Sequence, residues 1–573
     1  MELSRNSYLI NRSFKTYLFT SILSSVAVTL GVVVDASIVG NIVGAQALSA
    51  INLCVPIIQF MNAVNALINI GGAMMLAVSM GRLEIDEGMK YYTLSMTLTF
   101  FISILFIISA FLFIDPIVDI LCSDSELKPM VKSYAYIVMI SAPLYLFVPG
   151  ICTFMRIDSN PKLASLILIL SNVFNLVFDI ILVKYFSLGV LGAAISTSIG
   201  YIIGICFSIL HFKKNTSVLK FNFNFEFSKI NHIIVAGLPM ALASALMTVR
   251  LLFVNSLILS VLGSVGMQIM AVCFNILMIG SIFIGGSAQA LQPIAGVLMG
   301  SEDYTGVKIA VFTALKILAT FIFLIMIFLM LFPLEFAKLF GVHSLENLDI
   351  SIKIFAICVP FYALNYILMI NYQILSRKTL AILVSCIQSL AVIPIMWIFS
   401  KISPNMIWLS FSVGELAVLI FILLIASIEK SKDKSLSPIT LIPAELENTS
   451  NFSVSGEIES IGTMIDDILY FLSTHNIDET SSKKLAICCE EIVKNINTYA
   501  YKNDILRYVD ISIKIFPDSI HALLKDDGPP FNPIEFSSSD GLGLKLVNGL
   551  CEDIKYNFAA NQNMLNILIK LEQ

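Results

Sequence analysis

Between residues 17 and 427 the chain repeats one feature, runs of about 20 mostly apolar residues separated by short polar breaks. A helix needs ~20 such residues to cross ~30 Å of hydrocarbon, and only helices or closed barrels satisfy their backbone hydrogen bonds there. The runs fall at 17–40, 47–79, 91–114, 132–154, 161–183, 188–211, 232–262, 266–299, 307–332, 351–375, 379–400 and 405–427. Their spacing predicts an all-α polytopic membrane protein with about twelve spans. Composition agrees, with 57% hydrophobic and 13% charged residues, more apolar than a water-facing surface tolerates. The lipid bilayer is therefore this chain's first partner. A net charge of -5 lacks the clustered Lys and Arg that phosphate neutralisation requires, which excludes nucleic acid. The ten cysteines are scattered without a CxxC pair and read as small buried hydrophobes.

Loops after even-numbered spans carry Arg82 and Lys90, Arg156 and Lys162, Lys213, Lys214 and Lys220, Lys308, and Arg377 with Lys378. The opposite loops carry chiefly Lys128, Lys184, Lys338 and Lys401. This bias predicts an inner-membrane protein with both termini in the cytoplasm. The first apolar run lacks a small-residue cleavage site and reads as a retained helix. "VVVDASIVGNIVG" resembles "LLFVNSLILSVLG" about 220 residues later, which predicts duplicated halves at about 1–215 and 216–427, the usual build of secondary transporters.

Residues 428–452 are polar and read as a linker. From 453 to 573 the pattern becomes that of a soluble α/β domain: amphipathic helices at 457–474 and 481–501, strands in "YVDISIKIF" and "SIHALLKDDG", a helix in "GLGLKLVNGLCEDI", and two closing strands. Glu491 and Asn495 stand four apart on one helical face. "LKDDGPPFNP" is an acidic turn leaving a strand, and "SSDGLGLKLV" is a Gly-rich turn opening a helix whose free N–H groups suit phosphate. The three motifs in this order resemble the Bergerat-fold ATPases, and most closely the anti-sigma-factor serine kinases. The resemblance implies ATP and Mg²⁺ as cofactors, with Glu491 as general base, Asn495 on Mg²⁺, Asp526 reading the adenine amine and Gly528 shaping its turn. Gly541 and Gly543 would let the backbone approach the phosphates. It also implies serine/threonine kinase or ATPase activity and a soluble partner of the anti-anti-sigma type. Tyr499 stands where those kinases carry His, Pro529 and Pro530 stiffen the turn, and the lid from Asn532 to Asp540 is short. These departures set nucleotide binding ahead of phosphotransfer. The alternative makes Glu491 and Asn495 surface helix residues and the glycines plain turns. No GxxxxGK[ST] loop occurs, so an ABC pump is excluded.

Ionisable residues inside spans cost ~2.5–3.5 kcal/mol each to insert, and four stand out: Asp35, Asp179, Arg250 and Glu415. Asn172, Asn175 and Asp179 share one helical stripe. A carboxylate among amides is a hard-oxygen cluster for Na⁺ or a proton, or else a set of interhelical hydrogen bonds. "VVVDASIVGNIVGAQALSAINLCVP" and "MRIDSNPKLASLILILSNVFNLVFDIILVKYFSLGVLGAAISTS" resemble the multidrug and toxic compound extrusion (MATE) family over residues 10–427. The family implies two six-helix bundles exchanging Na⁺ or H⁺ for an organic, often cationic, compound. Asp35, Asn175 and Asp179 match its N-lobe cation site, with Asn172 one turn away. The seventh span departs, offering Arg250 where some members carry Glu. The alternative function is a membrane sensor whose module phosphorylates a partner, and a lipid flippase is disfavoured by the match around Asp179.

Overall fold

The computed structural model describes all residues except 1–3, 123, 214–216, 341, 343–346, 537–541 and 572–573. Lys214, Gly541 and residues 537–540 of the lid thus lie outside the described residues. The membrane domain begins with α1 (Tyr8–Ile42), α2 (Gln46–Gly81), α3 (Ile85–Leu121) and α4, a pair Lys128–Ile140 and Ala142–Ile157 bent by 49°. It continues with α5 (Pro161–Tyr185) and α6 (Gly189–Phe212). Next comes a helical stretch of 72 residues, Lys229–Gly300, which at 1.5 Å per residue is about 100 Å long, far beyond one bilayer. It is two spans. Gly263 breaks it at φ 62 and ψ -153, a left-handed backbone that glycine adopts without penalty. We name the halves α7 (229–262) and α8 (264–300). With α9 (Tyr304–Leu331), α10 (Leu348–Ile374), α11 (Lys378–Ile402) and α12 (Pro404–Lys432), and with Lys229–Gly300 divided at Gly263, the spans among the described residues number twelve.

The two halves meet along α2, α7 and α8. A side chain on Gly81 would collide with the Val297 carbonyl, and one on Gly300 with the Val78 carbonyl. Small residues let helix backbones approach this closely in lipid. The lobes are therefore sealed at the end where α2 and α8 finish, which is also the end that carries the soluble module.

The module is a five-stranded antiparallel sheet in the order β1-β2-β3-β5-β4. The strands are β1 (Thr449–Ser455), β2 (Tyr508–Ile515), β3 (Ser519–Asp526), β4 (Asp553–Ala559) and β5 (Gln562–Lys570). One face is covered by α13 (Ile458–Thr474), α14 (Glu479–Asn495) and α15 (Leu542–Leu550) around Val509, Ile511, Ile513, Ala522 and Ile567. Alternate residues point the other way, and that second face rests on the membrane domain. One row of it runs Ser453, Asp510, Lys525, Met564 and Asn557 across all five strands. Lys525 Nζ meets Asp303 at 2.9 Å, and Arg5 bridges Asp303 at 2.8 Å and Asp510 at 3.0 Å. Asn557 donates to the Met80 carbonyl at 3.0 Å, and the Asn561 amide to Ser159 at 2.9 Å. Lys514 reaches the Ser301 carbonyl and Glu302, both at 2.8 Å. The module therefore touches both lobes beside the Gly81–Gly300 seal. β1 begins inside the stretch read as linker, because its Ser and Asn residues face protein rather than water.

Candidate functional site

Three clusters matter. In the first lobe, Asp179 is fully buried on α5 and Asn175 is nearly so. The Asn175 amide lies 3.4 Å from Asp179, 3.3 Å from Ser196 and 3.1 Å from Thr197, and Ser196 donates to Asp179. Asp35 comes from α1 within interaction range of Asp179, and its Oδ1 is buried with no hydrogen-bond partner. Immediately after Asp179, α5 widens into a π-helical segment, Ile180–Tyr185, a distortion frequent at functional sites. Asn172 stands apart: its amide donates to its own helix at Leu168. Ser196 and Thr197 were missed in the sequence reading, although "AISTS" is a polar run inside an apolar span.

The second lobe is built differently. Glu415 accepts from Asn365 at 3.0 Å and from Gln388 at 3.1 Å, with Arg250 at 3.8 Å. Its charge is already matched within the protein. Among the described residues no Lys, Arg or His makes an ion pair with Asp35 or Asp179.

In the module, Asn495 and Glu491 lie 3.3 Å apart at the end of α14, where that helix also turns π-helical over Ile496–Ala500. A side chain on Gly543 would land on the Glu491 carboxylate, so the opening of α15 lies directly over it. Asp526 accepts from the Gly528 amide at 2.7 Å and from Asn563 at 2.9 Å, both through Oδ1, which leaves Oδ2 for an amino group. Burial pushes its carboxyl up to about 6, against these two donors. Asn563 also donates to the Gly528 and Pro529 carbonyls; it fixes the turn and had no motif to reveal it. Asp527, next to Asp526, pairs with Arg12 of α1 at 2.6 Å and with Arg507 at 3.1 Å. The donor set fits a nucleotide: a buried carboxylate for an amine, a carboxylate and amide for a metal-bound phosphate, and a glycine, Gly543, in the first turn of α15. Glu491, Asn495 and Gly543 form one contact group and Asp526 with Gly528 another, the Gly528 turn lying against Ala500 in the π-helical turn that follows α14; Gly541 falls outside the described residues.

The repeat seen in the sequence recurs in comparison with known families, where the MatE model matches twice, at residues 20–181 and 239–399, together more than half of the chain. The chain belongs to the MatE family. Its module matches the histidine kinase-like ATPase domain over 454–569. MatE relatives include the multidrug export protein MepA of Staphylococcus aureus (strain bovine RF122 / ET3-1), 24% identical over 259 residues, which is 45% of this chain and 57% of the relative. MepA of Staphylococcus haemolyticus (strain JCSC1435) matches equally. The match thus spans only a little over half the length of these curated relatives. A multidrug resistance MATE transporter solved in an outward-facing conformation shares the fold with a TM-score of 0.69 at 19% identity, over 74% of this chain and 97% of that one. A MOP superfamily transporter from Pyrococcus furiosus gives the same values.

Proposed function

We propose that this MatE protein is a secondary antiporter of a bacterial inner membrane, with both termini cytoplasmic, exporting organic small molecules in exchange for Na⁺ or H⁺. The difference between the lobes carries the reading. Glu415 has its cation in Arg250, whereas Asp35 and Asp179 face each other without one. Two carboxyls buried together need positive charge between them, and here it must come from outside as a proton or Na⁺. Asn175, Ser196 and Thr197 add the neutral oxygens that suit a hard cation. An ion that binds one arrangement of the lobes better than the other shifts their balance.

The module regulates that balance. Its contacts with Met80 and with Ser301–Asp303 flank the seal between the lobes, so a docked module favours the arrangement closed on its own side. ATP and Mg²⁺ bind with Asp526 on the adenine amine, Asn495 on the metal, Glu491 near the phosphate end and Gly543 admitting the backbone. The adjoining Asp527–Arg12 pair leads into α1, the helix that carries Asp35. A second reading adds a soluble partner of the anti-anti-sigma type, phosphorylated on Ser or Thr. The match of residues 454–569 to a histidine kinase-like ATPase domain supports it.

The deciding experiment is efflux of two fluorescent probes, the cation ethidium and the anion 7-hydroxycoumarin-3-carboxylate, from proteoliposomes under an imposed Na⁺ or H⁺ gradient, with and without ATP on the module's side. Gradient-driven efflux without ATP supports the antiporter and makes ATP regulatory. Efflux that needs ATP and ignores every gradient overturns it.

A further inference from the structure

The sequence pattern places Arg156 in a loop; it is instead 5% exposed, on the last turn of α4, and faces a cavity of about 190 Å³ between the lobes. Its Nε and Nη2 are buried without a hydrogen-bond partner. The nearest carboxylate along the chain, Asp158, is taken up by His211 at 2.7 Å, Ser217 at 2.7 Å and the Val218 amide at 3.2 Å. Among the described residues, no ion pair forms with Arg156. Across the cavity, on α8 of the other lobe, Gln289 Oε1 and Gln292 Nε2 are likewise buried and unpartnered. The rest of the wall is mostly apolar, with Ile70, Met74 and Leu168. A second opening lined by Ser24, Ser25, Thr29 and Ser281 shares Leu168 and Gln289 with the first and continues along the interface of the lobes. Neither wall contains Asp or Glu.

A buried guanidinium without a counter-charge is among the costliest arrangements a protein can hold, and removing it from water is offset only by an anion that uses its fork of donors. We propose that this interlobe cavity is the cargo site and that its ligand is an organic anion. A carboxylate or phosphate group sits on Arg156, the Gln292 amide donates beside it, and an apolar body lies along Ile70, Met74 and Leu168. A cationic cargo placed here meets Arg156 and no carboxylate. The inference rests on the export reading above and names its substrate class.

The test uses the full chain purified in detergent, with 7-hydroxycoumarin-3-carboxylate as the probe and neutral 7-hydroxycoumarin, the same body without the charge, as comparison. Fluorescence anisotropy is expected to show saturable binding of the carboxylate only. Arg156→Gln weakens it about tenfold or more, and Arg156→Lys, which keeps the charge but loses the fork of donors, weakens it less than Arg156→Gln does. Gln292→Met, which removes a donor at similar volume, weakens it severalfold and serves if Arg156→Gln does not fold. Competition by benzoate supports a free organic anion. Competition by short-chain phosphatidylglycerol alone overturns the cargo assignment, because the site then holds a lipid headgroup. Equal binding by the parent and Arg156→Gln, or equal binding of the neutral probe, also overturns it. The two proposals fail separately: gradient-driven ethidium efflux without carboxylate binding sinks the anion site alone, and carboxylate binding without any gradient-driven movement sinks the export reading.

Discussion

Lys525→Met tests whether the module is held on the membrane domain by its buried ion network. The side chains of Lys525, Asp303 and Asp510 are 1–2% exposed and Arg5 is 6% exposed, so solvent screening does not discount the interaction. Two cations face two carboxylates, with burial raising the Asp510 carboxyl against Arg5 and Ser453 and lowering the Lys525 ammonium against Asp303. Burial alone would raise the Asp303 carboxyl, yet Arg5 and Lys525 hold it well below the ordinary carboxylate range, so it is fully charged at neutral pH. Removing Lys525 leaves one uncompensated negative charge, which costs about 3–5 kcal/mol, or about 10²–10⁴-fold in the docking equilibrium. The assay is amide hydrogen exchange at Ala560 and Asn561, whose N–H groups bond Ile157 and Ser159 only across the interface. Both amides are expected to exchange about a hundredfold faster or more in Lys525→Met. Adding Asp510→Asn removes the opposite charge from the neighbouring strand position and restores most of the protection. Unchanged protection in the single variant, or no recovery in the double variant, refutes the argument that this network governs docking.

Three further outcomes follow from the sites. Asp35→Asn and Asp179→Asn each abolish gradient-coupled efflux at unchanged membrane protein levels, whereas Glu415→Gln leaves the choice of coupling ion unaltered; normal coupling in both Asp variants sinks the N-lobe reading. Nucleotide affinity, measured by calorimetry, falls severalfold as pH drops through about 6, because Asp526 protonates there and loses its full acceptor strength. The raised value favours the empty folded module in its protonated form, a contribution present below the ordinary carboxylate value and lost as pH rises through about 6, so acid weakens binding without unfolding the site; a pH-independent affinity contradicts the role of Asp526. Arg12→Ala changes nucleotide affinity by a few-fold at most, since the Arg12 side chain is 48% exposed and such pairs contribute about 0–1 kcal/mol; a hundredfold effect would show that α1 forms part of the nucleotide site itself.

What the sequence revealed tracks where one physical rule dominates. Hydrocarbon demands length and apolarity, so the spans, including the two within Lys229–Gly300, are visible as runs. Asp35, Asn175 and Asp179 stood out because polar groups are rare in such runs. The docking face did not, because Asp510 and Lys525 alternate with apolar residues as they would on a sheet facing water. Only their three-dimensional partners, Arg5 and Asp303, which lie hundreds of residues away, show that the face is buried. Arg156 misled for a related reason: a basic residue at a span end satisfies the charge bias of loops, and nothing local reports that α4 bends and carries it into the cleft.

The nucleotide reading is most exposed at Gly543. A methyl group there would occupy the space of the Glu491 carboxylate. That carboxylate ends a flexible side chain, so Gly543→Ala is accommodated by swinging Glu491 out, and the fold survives. The displacement removes the carboxylate from beside Asn495 and thickens the helix start that must approach the phosphates. Nucleotide affinity is expected to fall about tenfold or more, with thermal stability nearly unchanged. Gly549→Ala, on the same helix with nothing within 4 Å of the new carbon, is the matched control, gaining about 0.5–1 kcal/mol from helix propensity at unaltered affinity. If Gly543→Ala binds nucleotide as well as Gly549→Ala does, the phosphates do not lie between α14 and the start of α15, and Glu491 and Asn495 are no more than paired helix residues.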